Sequence, residues 1–256
     1  MQILLASAKT MSDDTKLSSK INLSEPMFRL EAEILARDMF QYSVDSIAEM
    51  LKCSRMIASL NKLRFMDFFN DVEKTAAIFS YKGQAYKHLK ADSMSIDDLK
   101  FAQNHLWITS FLYGLLRPFD GILPYRMEGN VELPSAEGKN IFGFWKNRLT
   151  DKLIGMIKAD DGILLHLATE EYQHLFDWKR LSNEVRIVQP LFYVKSGDKL
   201  KIQAVWAKTC RGAMTRFIIE NRITNLSDIL SFCYEGFHFD SKFGDQNYPH
   251  FIKSDI

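Results

Sequence analysis

Seven basic side chains lie close together between positions 195 and 222, a density typical of a phosphate-binding surface. Only two acidic residues accompany them, so this segment carries a charge of +5 in a chain whose formal net charge is +1. A local positive patch beside a glycine that permits close approach predicts a phosphate site. A helix over 208–222, advancing about 100° per residue, turns Cys210 to the buried side. The same helix brings six residues into the opposite sector: Lys208, Arg211, Gly212, Thr215, Arg216 and Arg222.

A bend near the middle of the chain precedes a second group of charged residues. Pro118 cannot continue a helix, and Asp120 with Gly121 favours a turn. Such a bend, surrounded by aromatic and charged side chains, is typical of a binding site. The alternative is an ordinary loop in which Arg117 and Asp120 pair locally and the neighbouring aromatic residues fill the core.

The four residues after the bend have an alternating pattern. If this stretch is extended, Arg126 and Glu128 leave the backbone on one face, while Tyr125 and Met127 leave on the other. The pattern therefore predicts a guanidinium and a carboxylate side by side, anchored from behind by two core residues.

Three further charged residues follow predicted buried strands, at the position where polar groups collect around ligands in α/β sheets. They are Lys9 after a strand over 3–5, Lys82 near the end of a strand over 76–83, and Glu171 after a strand over 162–168. Within the last of these strands His166 is followed by polar groups at the strand end, and the alternative is a core histidine whose hydrogen bonds are satisfied. For Lys9 alone, a solvated loop lysine is the simpler interpretation.

Composition narrows the class of protein. A chain of 256 residues with 46% hydrophobic content can bury one sizeable core, so we predict one compact domain over 1–256. Three distant cysteines argue against a disulfide framework or a cysteine-based zinc site. The N-terminal apolar run is too short for a signal peptide, and no segment approaches the ~20 apolar residues of a membrane span. We expect a soluble cytoplasmic protein that does not associate with membranes.

The predicted elements indicate a mixed α/β (α+β) fold. Two short helices over 44–69 resemble a helix-turn-helix or helix-hairpin-helix element, although their turn contains no glycine and two ordinary packed helices are the alternative. A helix begins after Ser95, and a long amphipathic helix begins near Phe142. A hairpin is predicted around Gly197, between two strand-like runs over 184–195 and 199–206.

Two Glu-x-x-His pairs, Glu171 with His174 and Glu235 with His238, suggest a metal site only weakly, because the further bridging carboxylates are not identifiable. Neither a metal nor a cofactor is predicted.

Taken together and in order, several short motifs resemble the bacterial YaaA peroxide-stress family. The resemblance extends nearly from end to end. It rests on Ala8-Lys9-Thr10, Tyr81-Lys82-Gly83, Leu112-Tyr113-Gly114, Arg117-Pro118, Pro124-Tyr125-Arg126, Phe144-Trp145, Glu171-Tyr172, Arg211-Gly212 and Glu235-Gly236. The chain departs from the family pattern at Ser7, where proline is usual, and at His166, where asparagine is usual.

The resemblance implies a mixed α/β domain of unusual topology, with a mixed sheet flanked by helices and a helix-hairpin-helix-like element. It also implies a basic cleft, DNA binding and a role in limiting iron-driven oxidative damage. Combined with the charge pattern, it leads to the hypothesis that nine residues from distant segments line one cleft: Lys9, Lys82, Arg117, Arg126, Glu128, Glu171, Lys208, Arg211 and Arg216.

Two functional hypotheses follow for this cleft. In the first, a monomer binds backbone phosphates of distorted or single-stranded DNA, with Gly212 and Arg222 contributing from the helix and Tyr113, Tyr125 or Trp145 stacking on exposed bases. In the second, the protein is an enzyme acting on a nucleotide or nucleoside. Its candidate acid, base or nucleophile residues are Lys9, Glu128, Glu171 and Lys208.

Overall fold

The computed structural model describes residues 1–12, 14, 18–19, 21–197 and 199–254. Its helices are α1 Arg29–Gln41, α2 Val44–Met50, α3 Arg55–Asp67, α4 Ala77–Ser80, α5 Gln84–Leu89, α6 Ile96–His105, α7 Ile141–Lys158, α8 Trp178–Glu184, α9 Ala204–Glu220 and α10 Leu226–Ile229. Its strands are β1 Gln2–Ala6, β2 Thr75–Ala76, β3 Leu106–Ser110, β4 Gly114–Leu116, β5 Gly121–Ile122, β6 Ile163–Leu167, β7 Arg186–Val188, β8 Leu191–Ser196, β9 Lys199–Lys201, β10 Cys233–Tyr234, β11 Phe237–Gly244 and β12 Pro249–Ser254. The fold is α+β, as the sequence predicts.

The first sheet has the strand order β4-β3-β1-β6-β7. Strands β3, β1, β6 and β7 are parallel, and β4 runs antiparallel at one edge. Ile3 of β1 lies between Leu106 and Leu165 and is fully buried, as an apolar strand in a covered parallel sheet should be. Because the carboxyl ends of parallel strands meet at one edge, the residues after β1 and after β6 are brought together there.

The second sheet has the order β10-β11-β12-β8-β9 and is mixed, since β12 and β8 are parallel while the other pairs are antiparallel. The predicted hairpin is confirmed as β8 and β9, with Ser196 opposite Lys199. Phe192 and Phe251 of this sheet form an aromatic cluster with Phe232. The aromatic C-terminal residues therefore close the second sheet.

Helix α9 lies at the junction of the two sheets. It contacts β1 of the first sheet, β8 of the second, and α5 along its side. About half of its residues are buried, among them Thr209, Gly212 and Thr215 together with Cys210 and Met214. The predicted burial of Cys210 is confirmed, but Gly212 and Thr215 of the opposite sector are buried as well.

The predicted pair of helices near 44–69 is confirmed as α2 and α3. Ser43 and Ser54 cap them, each accepting a hydrogen bond from a backbone N–H three residues later. The turn lacks glycine, and Lys52 adopts a positive φ of 47° there instead. The outward face of α3 is apolar, with Met56 79% exposed. A DNA-contacting role for this pair remains a prediction.

The predicted strand over 76–83 is wrong. Only Thr75 and Ala76 form a strand, paired with β5, and residues 77–80 form helix α4. The start of α4 is bonded to the turn at Asp120. The Ala77 N–H donates to the Asp120 carbonyl, and the Ile78 N–H donates to the Pro118 carbonyl. An apolar run of this length suits either a short buried helix or a strand, so periodicity alone does not distinguish them.

His166 lies in the core, as the alternative interpretation expects, but its two ring nitrogens have no hydrogen-bond partner among the described residues, and its burial makes stability sensitive to acid. It is 1% exposed in β6, and burial lowers its pKa from 6.5 to about 3. Below pH 6.5 the unfolded chain binds a proton at this residue that the folded chain does not, so folding stability falls with pH until about pH 3. The loss is about 1.4 kcal/mol per pH unit.

We therefore expect the variant His166→Asn to be less sensitive to acid than the wild type. Between pH 7 and pH 5 its free energy of unfolding should fall by about 2 kcal/mol less, because asparagine does not titrate. Urea denaturation of both proteins at the two pH values measures this difference. Equal losses in the two proteins would contradict the assignment.

Candidate functional site

A cleft of about 320 Å³ lies where the carboxyl ends of β1 and β6 meet the sides of α5 and α9. Here "the cleft" means the space lined by Leu5, Ala6, Ser7, Ala8, Lys9, Thr10, Gly83, Gln84, Ala85, Tyr86, Leu167, Thr169, Glu171, Tyr172, Lys208 and Arg211. Four of the nine residues predicted to share a cleft line it directly. They are Lys9, Glu171, Lys208 and Arg211.

Arg211 is the most unusual cation in the cleft. Its guanidinium is largely buried, which lowers its pKa, and the carboxylate of Glu170 only partly offsets this effect. Its side chain makes no hydrogen bond or ion pair within the described ranges, although its backbone carbonyl accepts a hydrogen bond from Thr215 Oγ1. A buried guanidinium normally has partners for its five N–H donors. The positive charge of Arg211 is therefore offset only in part, by Glu170, and Lys208, one turn earlier on α9, adds a second, exposed positive charge.

A network of three charges begins at Lys9, which lines the cleft, and continues outside the cleft lining. The Lys9 ammonium donates to both carboxylate oxygens of Glu128, at 2.8 Å each, and Arg126 Nη2 lies 3.3 Å from Glu128 Oε1. Lys9 is 58% exposed, whereas Glu128 and Arg126 are 17% and 20% exposed. Glu128 therefore contacts a residue of the cleft and Arg126 contacts Glu128, but neither lines the cleft itself, which corrects their predicted place there.

The predicted alternation of residues 125–128 is confirmed. Tyr125 and Met127 are buried behind the two charged residues. The side chain of Asn61 on α3 holds the backbone in place, donating to the Arg126 carbonyl at 2.9 Å and accepting from its N–H at 2.7 Å. These two hydrogen bonds take the place of those that a neighbouring strand would make. They hold the alternating segment in position although it belongs to no sheet.

Gly212 does not contribute to a phosphate site in the way the sequence predicts. A Cβ built on this residue would lie 1.9 Å from the carbonyl oxygen of Ala85. The glycine permits close packing of α9 on α5, not the approach of a ligand. Its role is to bring the two helices that line the cleft together.

Arg117 lies away from the cleft, which corrects its predicted place there. It follows β4 and lies beside the start of β3, at the opposite edge of the sheet. Its guanidinium stacks over the Trp107 ring at 3.5 Å from the centroid, and Nη1 donates to Gln2 Oε1 and the Leu106 carbonyl, both at 3.4 Å. Its backbone N–H also donates to Asp120, so the alternative of a locally held loop is correct here.

The aromatic residues predicted to stack on bases are buried. Trp145 is 0% exposed and donates from Nε1 to the Phe111 carbonyl, and Tyr113 is 4% exposed with its hydroxyl accepting from the Leu123 N–H. Tyr125 is 5% exposed and shares hydrogen bonds with the hydroxyls of Ser110 and Tyr81. None of the three can stack on a base without unfolding the core.

Arg216 on α9 and Arg222, which follows the end of α9 and has a positive φ of 48°, also lie outside the cleft. Arg216 donates to the carbonyls of Leu89 and Lys90 and forms an ion pair with Glu220 at 2.6 Å. Arg222 pairs with Asp98 at 3.3 Å. Both side chains therefore join α9 to neighbouring segments. Lys82 does not line the cleft, which corrects its predicted place there; it is exposed and immediately precedes Gly83, which does line it.

Sequence reasoning missed the polar residues on the α5 side of the cleft. Gln84 Nε2 donates to Thr209 Oγ1 at 2.8 Å and lies 3.2 Å from His88 Nε2, while His88 Nδ1 lies 2.8 Å from the Tyr234 hydroxyl. On the β1 side, Ser7 hydrogen-bonds Tyr172 through their hydroxyls at 3.0 Å. Isolated Gln, Ser and Tyr residues give no sequence signal of a site, although Gln84 directly follows the Tyr81-Lys82-Gly83 motif.

No helix within the described residues has the length and apolar character required to cross a membrane. In the same part of the chain, no three His, Cys, Asp or Glu side chains gather as a metal site would require.

The fold and the site together define an α+β protein with a cationic cleft at the carboxyl edge of a parallel sheet. The family model described as "Peroxide stress protein YaaA" matches residues 1–243, and the chain belongs to this family. Similar proteins carry the name "UPF0246 protein". One from Phocaeicola vulgatus is 44% identical over 255 residues, with 99% of both chains covered. Others from Bacteroides fragilis and Crocosphaera subtropica are 41% and 37% identical, covering 96% and 99% of this chain and 96% and 100% of their own.

Proposed function

We propose that this protein binds single-stranded or distorted DNA through the cleft, one nucleotide unit at a time, and so helps to limit iron-driven oxidative damage. Its membership of a peroxide stress family supports the physiological part of the proposal. The observation that carries the DNA-binding part is Arg211, a largely buried guanidinium without a partner among the described residues, in a cleft shared with Lys208 and Lys9.

The charges of the cleft suit a phosphodiester. A guanidinium presents several N–H donors in one plane and binds two phosphate oxygens at once, and this interaction is strong where water is excluded. Lys208 adds a mobile point charge at the open side. Binding a phosphate there would provide the hydrogen-bond acceptors that Arg211 lacks in the described structure.

The size of the cleft favours a single nucleotide unit over a duplex. A volume of about 320 Å³ lies at the lower end of the range for small-ligand sites, roughly 300–1,000 Å³. A duplex carries its two backbones across a major groove about 12 Å wide and needs contacts to both. An unpaired or extruded nucleotide presents one phosphate and one base, which is what a narrow cationic cleft accepts.

A second candidate function is catalysis on a nucleotide or nucleoside. The contact between the Lys9 ammonium and both oxygens of Glu128 favours it, because a lysine and a carboxylate in contact can exchange a proton during a reaction. Glu171 supplies a further carboxylate in the same cleft. In this case the ligand would be a free nucleotide, and the strand would not contribute to binding.

One titration tests both candidates. Fluorescence anisotropy is measured for a 12-nucleotide single strand, the matching duplex and a deoxynucleoside monophosphate at 50 and 200 mM salt. If three cations contact phosphates, the single-strand affinity should fall roughly 20-fold between the two salt concentrations, since the slope is about −0.7 per phosphate. We expect the single strand to bind more tightly than the duplex.

The contradicting results are distinct. Salt-independent binding, or no binding of the single strand, would refute the DNA-binding proposal. A monophosphate that binds as tightly as the 12-nucleotide strand would favour the enzyme.

A further inference from the structure

A second concavity of about 450 Å³ lies on the other side of α5 from the cleft. Its apolar base includes Phe79 and Tyr81, and three lysines stand at its rim: Lys82, Lys87 and Lys90. We call this concavity the lysine pocket. Asp92 is its one acidic lining residue, so three positive charges face a single negative one.

The three lysines are exposed, and none forms a hydrogen bond or ion pair from its side chain to any residue that the structure describes. Helix stability explains only two of them. Lys87 and Lys90 lie at the carboxyl end of α5, where cations are favourable, but Lys82 precedes its amino end, where a cation is unfavourable. The convergence of all three on one concavity is better explained by an anionic ligand.

The position of Lys90 is fixed by its neighbours. Its backbone adopts a positive φ of 49°, and its carbonyl oxygen accepts a hydrogen bond from Arg216 Nη1 at 2.8 Å. The same guanidinium nitrogen holds the Leu89 carbonyl and the Ser93 hydroxyl. Arg216 therefore builds one side of the lysine pocket, although it lies outside the cleft.

The lysine pocket adjoins the cleft. Tyr86 lines both, and Gly83, which has no side chain, separates Lys82 from Gln84 in the cleft. Gly83 packs directly against the residues that follow β1, because a Cβ on Gly83 would lie 2.6 Å from Ala8 Cβ. A strand with regularly spaced phosphates can present one phosphate to each concavity, whereas a deoxynucleoside monophosphate carries a single phosphate.

We propose that the lysine pocket binds a backbone phosphate of the same nucleic-acid strand whose nucleotide occupies the cleft. This inference rests on the proposed function. The inference also gives the bound strand a direction: the strand leaves the cleft over Gly83 and continues along α5 towards Lys90.

The test compares two double variants in the anisotropy titration. Lys82→Ala with Lys87→Ala removes charge from the lysine pocket. Lys146→Ala with Lys152→Ala removes the same charge from two exposed lysines of α7 and serves as the matched control. We expect the first pair to weaken binding of the 12-nucleotide single strand about tenfold and to reduce the salt slope by about 0.7 per lost phosphate contact. The control should stay within about twofold of wild type.

Binding of a deoxynucleoside monophosphate, which occupies only the cleft, distinguishes failure of this inference from failure of the proposed function. Its affinity should be unchanged in both double variants. Equal weakening by the two double variants, or equal loss of monophosphate and strand binding, would overturn the inference, because the lysines would then act only through general charge. If wild type binds no strand at all, the proposed function itself fails, and the inference fails with it.

Discussion

Replacing Arg211 by Ala is expected to weaken single-stranded DNA binding about 100-fold, because truncating a buried charge that contacts a ligand costs 2–5 kcal/mol. The loss should be similar for every sequence, since a phosphate contact carries no base information. The free energy of unfolding should not fall. In the described part of the chain the Arg211 side chain loses only the electrostatic attraction of Glu170, and removing it relieves the burial of a charge. Anisotropy titration and urea denaturation measure the two effects.

Arg211→Lys provides the graded control. It keeps the charge but not the planar set of donors, so its affinity should lie between those of wild type and Arg211→Ala. Lys152→Ala, a surface change on α7, controls for the loss of one positive charge. Normal binding by Arg211→Ala would contradict the account. So would a large loss of stability, since that would mean that the guanidinium holds the fold together.

The variant Gly212→Ala is expected to lose about 3 kcal/mol of stability or more, at the upper end of the cost of overpacking. The new methyl group would lie 1.9 Å from the Ala85 carbonyl oxygen, and the obstacle is backbone that cannot rotate away. Helices α5 and α9 would have to separate. Because Gln84 and Ala85 line the cleft, nucleic-acid binding should weaken as well.

Gly155 offers a matched control in another helix. It lies within α7, and a Cβ there meets no atom within 4 Å. Gly155→Ala should therefore stabilise the protein by up to about 1 kcal/mol through helix propensity alone. Thermal and chemical denaturation of both variants measure the contrast. Equal stability of the two variants would mean that α5 and α9 do not pack as described.

The parts of the site that follow from local sequence were predictable. Extended backbone alternates its side chains, so the placement of Arg126 and Glu128 on one face required only their spacing. Parallel strands end at a common edge, so Lys9 and Glu171 were expected near each other once their strands were recognised. In both cases the position of the side chain follows from the secondary structure of its own segment.

The wrong predictions concern residues whose position depends on how distant segments pack together. A helical projection separates a polar from an apolar face only when one face meets solvent, and α9 lies between two sheets and α5. Gly212 therefore looked like a ligand contact although it is a helix contact. Tyr113 and Trp145 carry polar atoms that suit either a ligand or a buried partner, and the core supplies the partners. Arg117 found an aromatic ring at the opposite edge of the sheet, a contact that its sequence neighbours do not reveal.

The central claim is that nucleic acid occupies the cleft, and lysine footprinting tests it most directly. The protein is treated with a limiting acetylating reagent with and without a 12-nucleotide single strand at tenfold excess over Kd, and modification of each lysine is measured by mass spectrometry. About 90% of clefts are then occupied, so acetylation of Lys208 and Lys9 should fall about tenfold, while Lys146 and Lys152 on α7 should react as before. Undiminished acetylation of Lys208 and Lys9 in a protein that binds the strand would place the nucleic acid elsewhere and contradict the account.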